Sequence, residues 1–378
     1  MGAWGIKQSW ALYQSSEAQK AEKQAVEDAI NAHHSEVTGG EINADPFGVD
    51  NKVSILFLGL DKRAGQVDGH CDAIQFITID KAKQTINITA VPRGTYSPLP
   101  PGKAVLATDY YVSNACSLGG LEYGIDQIEK ILGQKADYIV TVGFSEVLGI
   151  LRNLKLPTTE TLQWLRLRQS FAIGEPQRAR DHSTFLKYLL TKYVSADNSA
   201  VDKILQYIIY KTVQTDLTFA ETQTIIKELS TMDLANHPTR IQLSMRPAYE
   251  VQDIAYIPEN LDDYLNRMLG PVKQYLSPDD YSEITIEQKQ ANLMKAINEK
   301  KNDPEFIAWV YENKLWLQIE NNEDRLRVQF DFLKKYLELN SVKDKKEEII
   351  LDYILEMENR GEAEWLDKGR DLLAKEIN

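Results

Sequence analysis

Cysteine is nearly absent: Cys71 and Cys116 are the only two in 378 residues. Two thiols in so long a chain are not a disulfide framework, and their spacing leaves a pairing open. Histidine is also scarce, with five scattered residues. Together the two types are too few and too dispersed for a zinc site. No run of about 20 apolar residues occurs, so no transmembrane helix lies within this sequence. The opening stretch MGAWGIKQSWALYQSS is too short and polar to span a bilayer and lacks the shape of a secretory signal. Positive charge is in deficit, with a formal net charge of −13. That argues against a strongly basic nucleic-acid binder. Common catalytic motifs are missing too. There is no G-x-S-x-G elbow, and no G-x-G-x-x-G follows an apolar run. The stretch GTYSPLPPGKA has neither P-loop spacing nor the closing Ser or Thr.

What is present points to more than one domain, since 378 residues exceed one ordinary core. Charge divides the chain near residue 250. Residues 251–378 hold 28 acidic and 18 basic side chains, against 28 and 25 before them. Residues 15–34 read as a polar helix, and VTGGEINADPFGVDN as a linker. VSILFLGL is a continuous apolar run suited to a central buried strand. AIQFITID and TINITAVP alternate, with the short turn KAKQ between them, and predict a hairpin. GLEYGIDQIEKILGQ predicts a helix ending at Gly133, DYIVTVGF a strand and SEVLGILRNL a helix. TLQWLRLRQ alternates and predicts a strand. RARDHSTFLKYLLTKYV predicts a long amphipathic helix, followed by helices near 200–212 and 219–231 and a last strand in TRIQLSMRP. The mixture predicts a three-layer α/β/α domain with a mixed central sheet over 50–248. Residues 1–49 precede it. Residues 249–378 read as an acidic all-α domain, a bundle or helical array.

The loop between VSILFLGL and AIQFITID is unusually charged. It holds Asp61, Arg63, Asp68, His70 and Asp72. Residues 51–200 carry seven arginines, and all but Arg152 fall at predicted strand ends, loops or helix starts. Arg166 and Arg168, two apart in a predicted strand, point to one face. Paired guanidiniums repel unless an anion or carboxylates lie between them, and their planar forks grip phosphate bidentately. Arg93 follows a strand end, where open α/β sheets tend to bind ligands. A pyrophosphate-sized anion is the simplest shared partner. Asp61 and Asp72 suit Mg²⁺, which bridges one or two carboxylates to substrate phosphates. The bland readings are a solvated strand face for Arg166 and Arg168, a turn cap for Asp61, and packing for His70.

In order, LFLGLDKR, DGHCDAIQFITID, ITAVPRGTY, LRLRQ and GEPQRARDHSTFLKYLL resemble the LytR-CpsA-Psr family, over roughly residues 50–248. Members are bacterial extracytoplasmic phosphotransferases that move glycopolymers from a polyprenyl-pyrophosphate carrier to peptidoglycan. The resemblance implies Mg²⁺ (or Mn²⁺) on Asp61 and Asp72. It implies pyrophosphate contacts from Arg63, Arg93, Arg166, Arg168 and Arg178, with Asp72 and Arg93 at the reacting centre. It also implies the outer face of a bacterial membrane, with residues 1–49 downstream of an anchor absent from this chain. The partners implied are a polyprenyl-pyrophosphate-linked glycan and a peptidoglycan or other glycan acceptor. A lipid tail needs an apolar groove, for which the helices at 122–132, 146–154 and 184–194 are candidates. The C-terminal helices are a candidate surface for a protein partner.

Some positions depart from the family pattern. His70 stands for Arg, Ala73 for Thr, Gly94 for Asp, Glu175 for Asp, Asp181 for Arg and His182 for Gln. Gly94 cannot serve as a base, which leaves Asp72. The Gly94 and His70 departures motivate a second reading, a module that binds a polyprenyl phosphate or another lipid anion without turnover. A pyrophosphatase using water as acceptor is a third.

Overall fold

The computed structural model describes residues 16–39, 45–61, 69–167, 174–194, 200–269, 286–312 and 314–377. A six-stranded mixed sheet runs in the order β5-β4-β1-β2-β3-β6. Its strands are β1 (Lys52–Asp61), β2 (His70–Asp80), β3 (Thr85–Ala90), β4 (Tyr138–Gly143), β5 (Gln214–Thr215) and β6 (Ile241–Met245). β1 pairs antiparallel with β2 and parallel with β4, and β2 and β3 form the expected hairpin. β6 runs parallel to β3 at the other edge.

One face of the sheet is covered by α1 (Ser16–Thr38), α2 (Val112–Leu118) and α3 (Leu121–Leu132). Leu56, Leu58, Ile74 and Phe76 pack there against Val26, Ile30, Val112, Ile125 and Ile128. The polar helix before the linker is therefore seated on the core. His33 contacts Glu129 at 2.8 Å, and both are buried. The other face carries α6 (Gly174–Tyr193) and α8 (Phe219–Thr231), which cover Val53, Ile79, Ile86 and Ile88. α3 closes on Gly133, whose φ of 73° lets its amide turn back to the Glu129 carbonyl.

One finding differs from the sequence reading, and another settles a pairing that it left open. Residues Thr158–Arg166 form a helix, α5, and not a strand. The alternating leucines are helix-permissive, and Thr161 and Trp164 share one buried face three residues apart. Trp164 packs edge-on to Tyr256 at 5.2 Å between ring centres, so tertiary packing decides the conformation. Cys71 and Cys116 are joined as a disulfide with a Cα separation of 5.9 Å, tying β2 to α2. Their 45-residue separation along the chain carried no information about that distance.

α4 (Phe144–Asn153) leaves β4 directly and leads to α5. With α6, Tyr256 and α9 (Leu261–Leu269) they bury Leu151, Leu154, Trp164, Phe185 and Leu265. α7 (Ala200–Tyr210) follows α6. The C-terminal region comprises α10 (Ile286–Lys300), α11 (Pro304–Glu312), α12 (Asn322–Leu339), α13 (Lys343–Arg360) and α14 (Ala363–Ile377). Ile297, Phe306, Trp316 and Phe332 pack together with Leu148 of α4, so this region docks on the sheet domain through α4. A second cluster joins Leu333, Ile350 and Met357 within α12 and α13. Among the described residues no helix is long and apolar enough to cross a membrane.

Candidate functional site

The site begins with a break in register between β1 and β2. Gly59 faces Ala73 but Leu60 faces Cys71, so Asp72 has no partner across the ladder. A bulge adds one residue, bends the strand and re-aims a side chain. Its effect is visible in the packing: Cys71 and Ile74, an odd and an even position, enter the same cluster. Asp72 points instead toward α6. Gly59 permits this, because a Cβ there would stand 2.8 Å from that of Ala73.

Asp72 meets two arginines. Arg93 Nη1 donates to its Oδ1 at 2.5 Å. Arg178 Nη2 donates to its Oδ2 and to its carbonyl oxygen, each at 3.2 Å. Arg93 stands just past β3, and Arg178 lies on the second turn of α6, so strand ends and a helix start bring the three together. Arg178 is 8% exposed, and Glu175 Oε2 lies 3.7 Å from its Nη1. The Arg178 Nε is buried with no acceptor among the described residues. A donor left over beside two guanidiniums is suited to an incoming anion.

α6 is fixed to the sheet by a buried polar network. Gln75 Nε2 donates to the Ala179 carbonyl at 3.0 Å, and Ser183 Oγ donates to Gln75 Oε1 at 2.6 Å. Gln75 was the signal for this network, a lone amide inside the apolar run AIQFITID. One turn beyond Arg178, Asp181 is 1% exposed and accepts from Gln177 at 2.9 Å. Burial raises its carboxyl to about 7. Burial and the charge of Arg178 lower His182 to about 4, while its Nε2 stays within 2.8 Å of the Leu165 carbonyl oxygen. His70, at the start of β2, approaches Ser117 Oγ at 3.2 Å through Nδ1 and so leans on α2.

The remaining expected residues fall differently. Arg63, Arg168 and the side chain of Asp61 lie outside the described residues. Arg166 ends α5, exposed, with its guanidinium 5.3 Å from the Phe144 ring centre. The strand expected to carry Arg166 is instead the end of helix α5, so no strand face is seen at that residue. The expected three-helix groove is also corrected. α3 covers one face of the sheet and α6 the other, so they do not frame one cleft. Between α4 and α6 the space is occupied by Trp164, Tyr256, Leu261 and Leu265.

The metal reading meets a divided result. Asp72 offers hard oxygens of the type Mg²⁺ prefers, but both already accept from guanidiniums. No group of three or more His, Cys, Asp or Glu side chains converges among the described residues.

Comparison with known proteins bears on the same stretch. The LytR_cpsA_psr family model matches residues 10–151. That span holds Asp61, Arg63, Asp72 and Arg93, and stops before Arg166, Arg168 and Arg178. The polyisoprenyl-teichoic acid–peptidoglycan teichoic acid transferase TagU of Bacillus mycoides is 23% identical over 189 residues, covering 44% of this chain and 60% of that protein. Its namesake from Bacillus cereus is 27% identical over 125 residues, covering 32% and 39%. The chain thus matches less than two thirds of the length of these relatives. A crystal structure of B. subtilis TagV aligns with a TM-score of 0.45 at 17% identity, covering 59% of this chain and 98% of that one. The motif order and the family match agree over their common span, so residues 10–151 are similar to the LytR_cpsA_psr family.

Proposed function

We propose that this protein is a phosphotransferase that moves a glycopolymer from a polyprenyl-pyrophosphate carrier to a cell-wall acceptor, at the outer face of a bacterial membrane. The observation that carries the reading is the Asp72 bulge held between Arg93 and Arg178 at the end of the sheet. The names of the matched relatives support the substrate class.

In this reading Arg93 and Arg178 turn from Asp72 to the pyrophosphate, with Arg63, Arg166 and Arg168 contributing further contacts. Fixed guanidiniums stabilise charge that develops on the leaving phosphate, and positioning supplies much of the rate. Mg²⁺ would be held by Asp72 and Asp61 and would supply charge neutralisation on a phosphate oxygen. Asp72, once released by one arginine, is also the nearest candidate to accept the acceptor hydroxyl's proton, since Gly94 has no side chain. The hydroxyl oxygen forms a bond to the glycan-linked phosphorus, and the bond to the bridging oxygen of the carrier phosphate breaks.

A second reading has a specific support. Both Asp72 oxygens are committed to arginines and Gly94 replaces an acid, as expected of a module that binds the lipid anion without turnover. The deciding experiment is calorimetry with a short-chain polyprenyl pyrophosphate, with and without Mg²⁺, followed by an acceptor assay with a glycan-linked polyprenyl pyrophosphate as donor and peptidoglycan fragments as acceptor. Binding with transfer supports the first reading. Binding without transfer supports the second. Release of glycan phosphate and polyprenyl phosphate with no acceptor consumed identifies a pyrophosphatase. No binding overturns all three.

A further inference from the structure

Arg152 stands apart from the arginines of the candidate site. It lies in the last turn of α4 and lines a cavity of about 240 Å³ where the sheet domain meets the C-terminal helices. Lys155, Asn322, Arg325, Arg360 and Glu362 share that lining. The cationic side chains come from separate parts of the chain: Arg152 and Lys155 from the end of α4 and the turn after it, Arg325 from α12 and Arg360 from the end of α13.

Carboxylates balance these charges only in part. Arg360 Nη2 pairs with Glu356 at 2.5 Å. Glu362 Oε1 accepts from Asn322 at 3.1 Å. Arg152 donates to the carbonyls of Leu317 and Ile319, and Arg325 to those of Ile319 at 2.9 Å and Glu320 at 3.0 Å. Neither forms an ion pair with a carboxylate among the described residues. The Arg325 Nε and the Arg360 Nη1 are buried without an acceptor. Burial and mutual repulsion lower Arg152 to about 9 and Arg325 to about 10.

The carbonyl contacts have a structural purpose. They hold the turn at Leu315–Gln318 against α4, where Gly149 leaves room for Leu317. A clamp of that kind needs neutral donors or a single cation. It does not account for three guanidiniums and a lysine gathered around one cavity, two of them with a buried N–H that meets no acceptor among the described residues. Like charges converging on a partly buried cavity are relieved by a bound anion.

We propose that this cavity binds a small phosphate-class oxyanion, gripped by Arg152, Arg325, Arg360 and Lys155 across the seam between the two regions. The volume lies below the roughly 300–1,000 Å³ typical of drug-sized ligand sites, so a single phosphate group fits the space better than a nucleotide. The anion removes repulsion between α4 and the C-terminal helices, so binding tightens the seam. The site shares no residue with Asp72, Arg93 or Arg178 and does not depend on the proposed transfer activity. A free phosphate and the phosphodiester of a polymer present the same chemistry.

The test is calorimetric titration and thermal unfolding of the full chain with inorganic phosphate, and separately with dimethyl phosphate, against sodium chloride of equal ionic strength. Both are run in the natural protein and in Arg93→Ala, which weakens the sheet-end site. Saturable binding and a raised unfolding temperature, kept in Arg93→Ala, are expected. Lys155→Glu, at an exposed position, is expected to weaken binding at least tenfold while the protein stays folded, as is Asn322→Asp. Tighter binding of dimethyl phosphate assigns a phosphodiester, and tighter binding of inorganic phosphate assigns the free ion. No saturable binding in either protein, or binding unchanged by Lys155→Glu and Asn322→Asp, overturns the proposal. Binding lost in Arg93→Ala and kept in those two variants places the phosphate at the sheet end and also overturns it.

Discussion

Asp72 and Arg93 form a 2.5 Å ion pair at the end of the sheet, with side chains 20% and 28% exposed. Arg178 closes on the same carboxylate from α6. The carboxylate thus balances two cations. Asp72→Asn leaves those cations without a charge partner and should destabilise the protein by about 1–3 kcal/mol in denaturant unfolding. It should also change how the anion binds. If Asp72 is a metal ligand, the natural protein binds pyrophosphate more tightly with Mg²⁺ and the variant does not respond to the metal. If Asp72 only orders the arginines, Mg²⁺ has no effect on either protein. Calorimetry on both, with and without Mg²⁺, separates the two roles.

Arg178→Ala tests the anion contact directly. A charge-assisted hydrogen bond contributes roughly 1.5–3 kcal/mol, so affinity for a short-chain polyprenyl pyrophosphate should fall about ten- to a hundredfold. Arg166→Ala is informative by contrast. Its guanidinium lies over Phe144, so it affects binding only if the ligand reaches the end of α5. An unchanged affinity removes Arg166 from the site.

The disulfide joins residues 45 apart and anchors the strand that presents Asp72. Closing such a loop restricts the unfolded chain, and losing it should cost about 2–4 kcal/mol. The double substitution Cys71→Ser with Cys116→Ser should lower the unfolding free energy by that amount and the midpoint with it. The natural protein with reductant should match it, and reductant should leave the variant unaffected. A midpoint insensitive to both changes means that packing alone holds β2 to α2.

Much of this architecture was legible from apolar periodicity. The β2–β3 hairpin, the helix ending at Gly133 and the long helix bearing Arg178 follow from local pattern, because one face of each must be buried. The segment around Trp164 was not, because Leu165-Arg166-Leu167-Arg168 alternates as a strand would. Only contact with Tyr256 and Phe185, distant in sequence, reveals the helix. The pairing of Cys71 with Cys116 was equally hidden, since sequence separation does not encode a Cα distance. Asp72 was recognised by residue type and order. The bulge that aims it was not, since no residue in HCDA demands an extra position. Arg152 was passed over because its neighbours in the cavity come from α12 and α13, which no local pattern places beside α4.

Asp181 and His182 should give opposing pH dependences. Asp181 is raised from 3.8 to about 7, mainly by burial, with Gln177 opposing. The folded state then holds a proton that the unfolded state loses, so this residue makes stability fall as pH rises from about 4 to 7. His182 is lowered from 6.5 to about 4 by burial and by Arg178, with the Leu165 carbonyl, Asp72 and Glu175 opposing. Here the unfolded state takes up the proton, so stability rises over about pH 4 to 6.5. The two slopes largely cancel in the natural protein. Asp181→Asn should unmask a rise in stability between pH 4 and 6.5, and His182→Gln a fall between pH 4 and 7. Urea unfolding across this range reads both, and slopes of the same sign in the two variants contradict the assignment.

Gly59 offers a test of the bulge that leaves every charged residue in place. A Cβ at this position meets that of Ala73 at 2.8 Å, and the opposing strand has no flexible side chain there to move aside. Gly59→Ala must therefore shift β1 against β2 at the point where Asp72 leaves the ladder. Overpacking of this kind typically costs about 1–3 kcal/mol. The displacement should also separate Asp72 from Arg93 and Arg178, because the arginines are held by β3 and α6 and do not follow β2. Gly59→Ala should then lose pyrophosphate affinity and Mg²⁺ response together, as a site variant does, although it touches no ligand. The companion Ala73→Gly should restore both, since it removes the atom that clashes. A double variant that regains stability without regaining binding means that the bulge is a packing feature and that Asp72 does not depend on it.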